Sequence, residues 1–194
     1  MKLGNKKLIL ASGSPRRKEL LEGLGLKFEI RLLKGIEESY PEGLSGEEIA
    51  KYISREKSAA YKETIGEEEI VITADTIVYL DGKVMGKPAD REEAIAMLNE
   101  LSGRTHEVIT GVTFLTREKE RTFASTSLVT FTRLKKEEIE YYVDSFEPLD
   151  KAGAYGIQEW IGYVGVERIE GSYFNVMGLP VQRLYKELEK FLEE

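Results

Sequence analysis

Residues 70–80 read IVITADTIVYL, and this stretch decides the fold class. Its β-branched side chains argue against a helix and predict one long buried strand, or two strands joined at Asp75. Asp75 stands in the middle of the apolar run, where a carboxylate without a partner is costly or shifts its pKa strongly. The stretch therefore predicts either a functional carboxylate at Asp75 or a buried structural ion pair.

Strand and helix patterns alternate on both sides of this stretch. Before it, an apolar strand leads through the tight turn at 12–15 into a helix, and after it Asp81-Gly82 predicts a hairpin. Ser45 and Glu48 form a capping box that opens a second helix. The predicted elements are strands at 6–11, 27–33, 70–80, 84–85, 107–116 and 122–132, and helices at 16–24, 45–64, 90–101, 135–145 and from 180 onward. This alternation predicts an α/β fold with a mixed sheet. Because no flexible linker separates the elements, we expect a single domain over residues 1–194.

The composition excludes several classes of protein and of site. The 194 residues include 28 Lys and Arg against 35 Asp and Glu, and the net charge of −7 argues against a nucleic-acid partner. With no cysteine and one histidine, thiol nucleophiles, iron–sulfur clusters and multi-histidine metal sites are excluded. No apolar run is long enough to span a bilayer, so we expect a cytoplasmic protein without a membrane partner. The remaining chemistry, from carboxylates, cations, hydroxyls and an oxygen-ligated metal, suits phosphates.

Positive charge is concentrated near the N-terminus. Residues 1–35 hold nine Lys and Arg against three acidic groups, a balance of +6. Within this segment, Ser12 begins the turn SGSPRR, which places hydroxyls, backbone N–H groups and the guanidiniums of Arg16 and Arg17 at a helix N-terminus. Each of these groups favours an anion. The turn therefore predicts phosphate binding, with a capped helix and solvated arginines as the alternative, since no Walker or G-x-G-x-x-G pattern is present.

Two lysines are candidates for cations in a site. Lys57 follows Ile49 and Ile53 at steps of four residues, so it lies on the helix stripe that should face protein. It either extends to solvent or points into a cleft. Lys87 follows the hairpin, and we expect that it could return towards Asp75 and supply a counter-charge.

Other polar residues allow weaker predictions. Glu37 and Glu38 lie in an acidic loop and would bind Mg²⁺ or Mn²⁺ only with another carboxylate nearby. His106 has no evident partner in the sequence, so a hydrogen-bonded structural role is expected. Gln158 ends a small, polar segment, AGAYGIQ, and its amide could bind a nucleobase edge.

Seven ordered blocks resemble the Maf family of nucleoside triphosphate pyrophosphatases along nearly the whole chain. The blocks are LASGSPRRKELL at 10–21, REK at 55–57, ADTIV at 74–78, GKP at 86–88, LSGRTH at 101–106, DKAGAYGIQ at 150–158 and GSYFNVMGLP at 171–180. The resemblance implies a cytoplasmic, usually dimeric enzyme that uses a divalent cation to hydrolyse a nucleotide between its α and β phosphates. It also implies a fold similar to that of the inosine triphosphatases, with two α/β lobes around an elongated mixed sheet and the active site in the cleft between them.

The resemblance also assigns roles to individual residues. The family's proton acceptor falls on Asp75, and its acidic residue near the metal falls on Glu38. By this resemblance Asp75 either holds the cation with Glu38 or deprotonates the attacking water. The positions that discriminate substrates are Arg16, Thr76 and Gln158, and the groups that bind phosphate are Ser12, Arg16, Arg17, Lys57 and Lys87.

The segment that ends at Gln158 is similar to the branch of the family that acts on dTTP and UTP, rather than on 7-methyl-GTP. Glu159 and Trp160 follow it where many relatives have glycine, so an acidic and a bulky group would lie beside the expected base pocket. Two alternative functions remain open at this point. One is a house-cleaning pyrophosphatase for modified nucleotides, and the other is a non-enzymatic regulator of septum formation.

Overall fold

The computed structural model describes residues 3–36 and 38–193. It contains seven strands and seven α-helices in this part of the chain. The strands are β1 (Lys7–Leu10), β2 (Phe28–Ile30), β3 (Glu69–Leu80), β4 (Lys83–Met85), β5 (Thr105–Leu115), β6 (Glu120–Phe131) and β7 (Val166–Glu170). The helices are α1 (Pro15–Gly23), α2 (Glu47–Ala59), α3 (Arg91–Leu101), α4 (Lys136–Phe146), α5 (Trp160–Gly165), α6 (Tyr173–Met177) and α7 (Val181–Glu193). Two short 3-10 turns lie at Pro148–Asp150 and Ala152–Ala154.

The strands form one mixed sheet. Its order is β2-β1-β3-β5-β6-β7, and β4 pairs with β3 outside this path. Strand β1 runs parallel to both β2 and β3, whereas β4 is antiparallel to β3 and β7 is antiparallel to β6. The predicted α/β fold with a mixed sheet flanked by helices is therefore confirmed.

The stretch at 70–80 forms one continuous strand rather than two. It is extended by one residue, to Glu69, and buried along most of its length, as its apolar sequence predicts. Strand β1 is its parallel neighbour, with Leu10 paired to Ile72. Since β1 ends there, the turn that begins at Ser12 lies beside the part of β3 that leads to Asp75.

Residues cluster into two compact units. The first comprises Met1–Asp75, Thr110–Ser125 and Gly178–Glu194, and the second comprises Thr76–Ile109 and Thr126–Met177. The first unit contains a core cluster of Ile9, Tyr61, Ile65, Val71 and Leu115. The second unit has a larger cluster that includes Val78, Leu98, Val129, Phe131, Tyr142 and Ile161.

Helices α1 and α3 begin at capping residues, whereas α2, which Ser45 was expected to open, begins after Gly46 without a side-chain cap bond. Helix α1 begins with Pro15, after Ser14, whose hydroxyl accepts the N–H of Arg17 at 3.5 Å. Helix α3 is capped by Asp90, as predicted, and Asp90 accepts the N–H of Glu93 at 2.8 Å. No helix in the described part of the chain is long and apolar enough to cross a membrane.

Two predicted elements differ in length from the structure, and three short elements were not predicted. The predicted strand at 27–33 is only Phe28–Ile30, and the helix expected to reach 64 ends at Ala59 and continues as turns. The segment between 150 and 178, which carries no regular period, contains α5, β7 and α6. The sequence of β7, VERIE, alternates only over five residues and is too short for pattern alone to identify.

Candidate functional site

The ammonium of Lys57 joins two carboxylates in the first unit. Its Nζ lies 2.7 Å from Asp75 Oδ1 and 2.8 Å from Glu38 Oε1. The side chains of Lys57 and Asp75 are 14% and 11% exposed, whereas that of Glu38 is 48% exposed. The carboxylate in the middle of the apolar strand is therefore compensated by a cation that also reaches a more exposed acid.

Matching periods of helix and strand produce this contact. Thr73 and Asp75 are two residues apart on β3, so both point to the same face of the sheet. Thr73 Oγ1 donates to the carbonyl of Ser54 at 2.7 Å, and one turn further along α2, Lys57 meets Asp75. The buried stripe on which the sequence places Lys57 is thus the face that α2 turns towards β3.

The guanidinium of Arg17 is bonded to three parts of the first unit. Its Nε donates to the carbonyl of Gly178 at 2.8 Å, and its Nη1 donates to the carbonyl of Ala74 at 2.9 Å and to Ser12 Oγ at 3.3 Å. Burial lowers the pKa of Arg17, and the charge of Asp75 opposes that shift. Arg17 therefore carries its charge beside Asp75 and fixes the backbone immediately before it.

The turn at the start of α1 completes this group. Ser12 Oγ also accepts the N–H of Ser14 at 3.3 Å, which tightens the turn. Arg16 is half-buried, and its charge contributes to lowering the pKa of Arg17. Six of the candidate residues thus belong to the first unit: Ser12, Arg16, Arg17, Glu38, Lys57 and Asp75.

The other three candidates, Thr76, Lys87 and Gln158, belong to the second unit. Successive side chains of a strand point to opposite faces, so Thr76 does not share the face of Asp75. Lys87 is exposed. Its neighbour Gly86 accepts the N–H of Gly153 at 3.0 Å, which ties this segment to the one that leads to Gln158. Lys57 provides a counter-charge for Asp75. That Lys87 also supplies one stays a prediction.

Gln158 is half-buried, and its Oε1 atom is fully buried. No group within residues 3–36 and 38–193 hydrogen-bonds to that oxygen. A buried acceptor without a partner is uncommon, because it loses its hydration and gains nothing in return. Gln158 therefore carries an acceptor suited to a donor on a ligand.

A network around Glu159 is the main feature that sequence reasoning missed. Tyr142 donates its hydroxyl to Glu159 Oε2, and the same hydroxyl accepts the N–H of Gly156 at 3.0 Å. Lys151 places its Nζ 3.2 Å from Glu159 Oε1. Burial is the main cause that raises the pKa of Tyr142, and the hydrogen bond to Glu159 raises it further. The departure from the family pattern at Glu159 was the available signal, but its partners lie 8 and 17 residues away in sequence.

The acidic residues of the first unit fit a divalent cation of the Mg²⁺ type. In the described part of the chain, no three histidine or acidic side chains lie close enough to hold a metal ion. Mg²⁺ is often bound by only one or two carboxylates together with water and substrate phosphates. Asp75 and Glu38 provide two such carboxylates, and both of them contact the ammonium of Lys57. Glu37, also considered as a ligand, lies outside the described residues.

Comparisons with known proteins agree with this architecture. The chain matches the family described as Maf-like protein over residues 7–191. A relative from Phocaeicola vulgatus, named dTTP/UTP pyrophosphatase, is 61% identical over 184 residues, which cover 95% of each chain. A relative of the same name from Flavobacterium psychrophilum is 48% identical over 184 residues, which cover 95% of this chain and 94% of the relative.

Solved structures support the fold independently. The structure of the Staphylococcus aureus Ham1 protein superposes with a TM-score of 0.53 at 16% identity, covering 95% of this chain and 99% of that one. The predicted likeness to the inosine triphosphatase fold is therefore confirmed at the level of the fold. Together with the seven sequence blocks, the match over residues 7–191 and the identity to full-length relatives show that this chain belongs to the Maf family.

Proposed function

We propose that this chain is a nucleotide pyrophosphatase that hydrolyses dTTP and UTP to the nucleoside monophosphate and pyrophosphate. The observation that carries the proposal is the buried carboxylate of Asp75, held by Lys57 beside Glu38 and Arg17. A carboxylate among cations is suited to proton transfer next to a polyanion. The choice of dTTP and UTP rests on relatives of that name, which match 95% of this chain.

Asp75 is the proposed proton acceptor. The hydrogen bond from Lys57, at 2.7 Å, holds the carboxylate in place, and the carboxylate can take a proton from a water molecule. The oxygen of that water forms a bond to the α phosphorus, and the bond from this phosphorus to the bridging oxygen of the β phosphate breaks. The electron pair leaves with pyrophosphate. In this scheme Asp75 holds the proton at its carboxylate until release.

Asp75 and Glu38 are also the proposed ligands of a divalent cation, Mg²⁺ or Mn²⁺. When bound, the ion would neutralise charge on the phosphate oxygens. The proposed phosphate-binding residues, Ser12, Arg16, Arg17, Lys57 and Lys87, supply further positive charge or hydrogen-bond donors. Arg17 also holds the Ala74 carbonyl, so its role includes fixing the position of Asp75. Substrate discrimination is assigned to Arg16, Thr76 and Gln158.

The substitution Asp75→Asn tests the proposal. The amide keeps an oxygen that accepts from Lys57, so the fold should survive, but it cannot accept a proton. We expect kcat for dTTP and UTP to fall about 10²- to 10⁴-fold, as for loss of a general base. The measurement is pyrophosphate release, with circular dichroism to verify folding.

Asp81→Asn is the matched control, because Asp81 lies in the turn after the same strand and its side chain is 69% exposed. It should leave turnover unchanged. Full activity of Asp75→Asn would refute the assignment of Asp75. Preference of the unsubstituted protein for a modified nucleotide or for 7-methyl-GTP would refute the proposed substrates and leave the reaction in place.

Removal of divalent metal tests the cation. Dialysis against a chelator should abolish pyrophosphate release, and Mg²⁺ or Mn²⁺ should restore it. Calorimetric titration with Mn²⁺ gives a readout that does not depend on turnover. We expect the Glu38→Gln variant to bind Mn²⁺ more weakly than the unsubstituted protein does. Equal affinity of the two proteins for Mn²⁺ would contradict Glu38 as a ligand.

We further propose a cytoplasmic homodimer, as the resemblance to the family implies, with no nucleic acid or membrane as partner. Nucleoside triphosphates are metabolites of the cytoplasm, which agrees with that location. Light scattering after size-exclusion chromatography should give twice the 22.0 kDa mass of the chain. A mass equal to one chain at micromolar concentration would refute the dimer.

A further inference from the structure

The carboxylate of Glu159 is held at both of its oxygens within the second unit. Oε2 accepts the hydroxyl of Tyr142, which is fully buried, and Oε1 lies 3.2 Å from the ammonium of Lys151, a residue 8% exposed. The Tyr142 hydroxyl also accepts the N–H of Gly156 at 3.0 Å. The network therefore fixes the direction of the Glu159 side chain and the backbone two residues before Gln158.

Gly156 allows the side chains of Gln158 and Glu159 to approach the same point. A Cβ atom at Gly156 would lie 3.0 Å from Glu159 Oε2 and 3.1 Å from Gln158 Nε2. Because glycine has no such atom, the carboxylate oxygen and the amide nitrogen both pack over its Cα. The amino end of the Gln158 amide thus lies on the side of the Glu159 charge.

The charge of Glu159 favours one of the two orientations of the Gln158 amide, the one with its NH₂ group towards the carboxylate. The two ends of an amide have almost the same shape, so sterics alone does not choose between its two orientations. A negative charge attracts the NH₂ group and repels the carbonyl oxygen. This attraction favours the orientation in which Gln158 Oε1 points away from Glu159. Oε1 is the buried oxygen that no residue of the described ranges satisfies.

We propose, on the basis of the proposed function, that Glu159 is a positioning residue that presents Gln158 Oε1 to the N3–H group of thymine or uracil. Both bases carry a donor at N3. Cytosine carries a lone pair there, which an amide oxygen in this orientation repels. If Gln158 were free to flip, it would pair with either kind of base. By preventing the flip, Glu159 makes Gln158 select bases that carry an imide.

The substitution Glu159→Gln tests this mechanism. The new amide oxygen still accepts from Tyr142, but the charge that orients Gln158 is removed. We expect the ratio of kcat/KM for UTP over CTP, and for dTTP over dCTP, to fall about tenfold, chiefly through KM. Asp150→Asn is the matched control, because it neutralises the other carboxylate bonded to Lys151, at 2.7 Å, and should leave both ratios unchanged.

An unchanged ratio in a folded Glu159→Gln protein would overturn the proposal. A second measurement, on the unsubstituted protein, does not depend on the variant folding. UTP methylated at N3 lacks the donor and should be at least about tenfold poorer than UTP, whereas UTP methylated at C5 should remain a substrate. Equal use of the N3-methylated and the C5-methylated nucleotide would also overturn it. Failure to hydrolyse either UTP or dTTP would instead refute the proposed function itself.

Discussion

At the scale of single residues, Lys57 determines the charge balance around Asp75. One ammonium contacts a buried and a half-exposed carboxylate. Loss of one partner of a buried pair leaves the other charge desolvated and uncompensated. Lys57 therefore has a structural role, as the cation that compensates Asp75, beside its proposed role in phosphate binding. A measurement of stability reports on the structural role alone.

We predict that Lys57→Met destabilises the protein by about 3 kcal/mol, because Asp75 then lacks its cation. The double variant with Asp75→Asn should be more stable than the sum of the two single changes predicts, with a coupling energy of about 1–3 kcal/mol. Urea unfolding at pH 7 of all four proteins measures this cycle. Additive effects would show that the contact at 2.7 Å contributes nothing to stability.

His106 provides a test of pH-dependent stability. It is 2% exposed, and its Nε2 lies 2.7 Å from the hydroxyl of Tyr155, in agreement with the expected structural role. Burial lowers the pKa of His106 to about 4. Between its ordinary pKa and this value, the unfolded chain binds a proton at His106 that the folded protein does not. Stability is therefore complete above the ordinary pKa and declines as the pH falls towards 4.

The decline should amount to about 3 kcal/mol at pH 4 relative to pH 7.5. His106→Gln removes this titration and leaves the acidic residues unchanged, among them Glu69, whose pKa the bond from Arg31 lowers to about 2. Urea unfolding between pH 4 and 7.5 should thus give a shallower slope for the variant. Parallel slopes would show that His106 keeps its ordinary pKa in the folded protein.

Sequence periodicity predicted the environment of a single residue only where that residue and its contact partner both lie on regular helices or strands. Asp75 on its strand and Lys57 on its helix stripe follow from the sequence, and they meet. Arg17 was assigned to phosphate, but its bonds to the carbonyls of Ala74 and Gly178 join positions up to 161 residues apart. No local pattern encodes such a partner. The same holds for Tyr142, which lies on α4, and Glu159, which lies in the turn before α5.

At the scale of elements, apolar periodicity and capping residues predicted the long helices and strands. Strand β3 and helices α3, α4 and α7 lie within one or two residues of the predicted bounds. Short elements between 150 and 178 were not predicted, because five- and six-residue segments give too few repeats. Their conformations depend on close contacts instead. For example, a Cβ at Gly162 would lie 1.8 Å from the carbonyl oxygen of Ile157.

The packing of α2 on β5 gives a prediction at this scale. A Cβ at Gly111 would lie 2.1 Å from the carbonyl oxygen of Ala50, so helix backbone and strand backbone are in direct contact. Gly111→Ala should therefore cost about 3 kcal/mol or more of unfolding free energy. Gly23→Ala is the control, because Gly23 is exposed in α1 with no atom within 4 Å of the added carbon. It should stabilise by about 0.5–1 kcal/mol, and urea unfolding of both distinguishes them.

At the scale of the whole molecule, three strands contribute residues to both compact units. The boundaries fall within β3, between Asp75 and Thr76, and similarly inside β5 and β6. Neither unit is a continuous segment, so neither can be released by cutting at one linker. One domain over residues 1–194 stays a prediction, and the mode of unfolding tests it.

We predict a single cooperative unfolding transition for the entire chain. Trp160 is the only tryptophan and belongs to the second unit, so its fluorescence reports on that unit, whereas far-ultraviolet circular dichroism reports on both. The two probes should give the same urea midpoint. Gly111→Ala, a change in the first unit, should lower both midpoints equally, because strands that run through both units transmit the loss. If the midpoint from Trp160 stayed in place while the circular dichroism signal shifted, the units would unfold separately, and the prediction of one domain would be wrong.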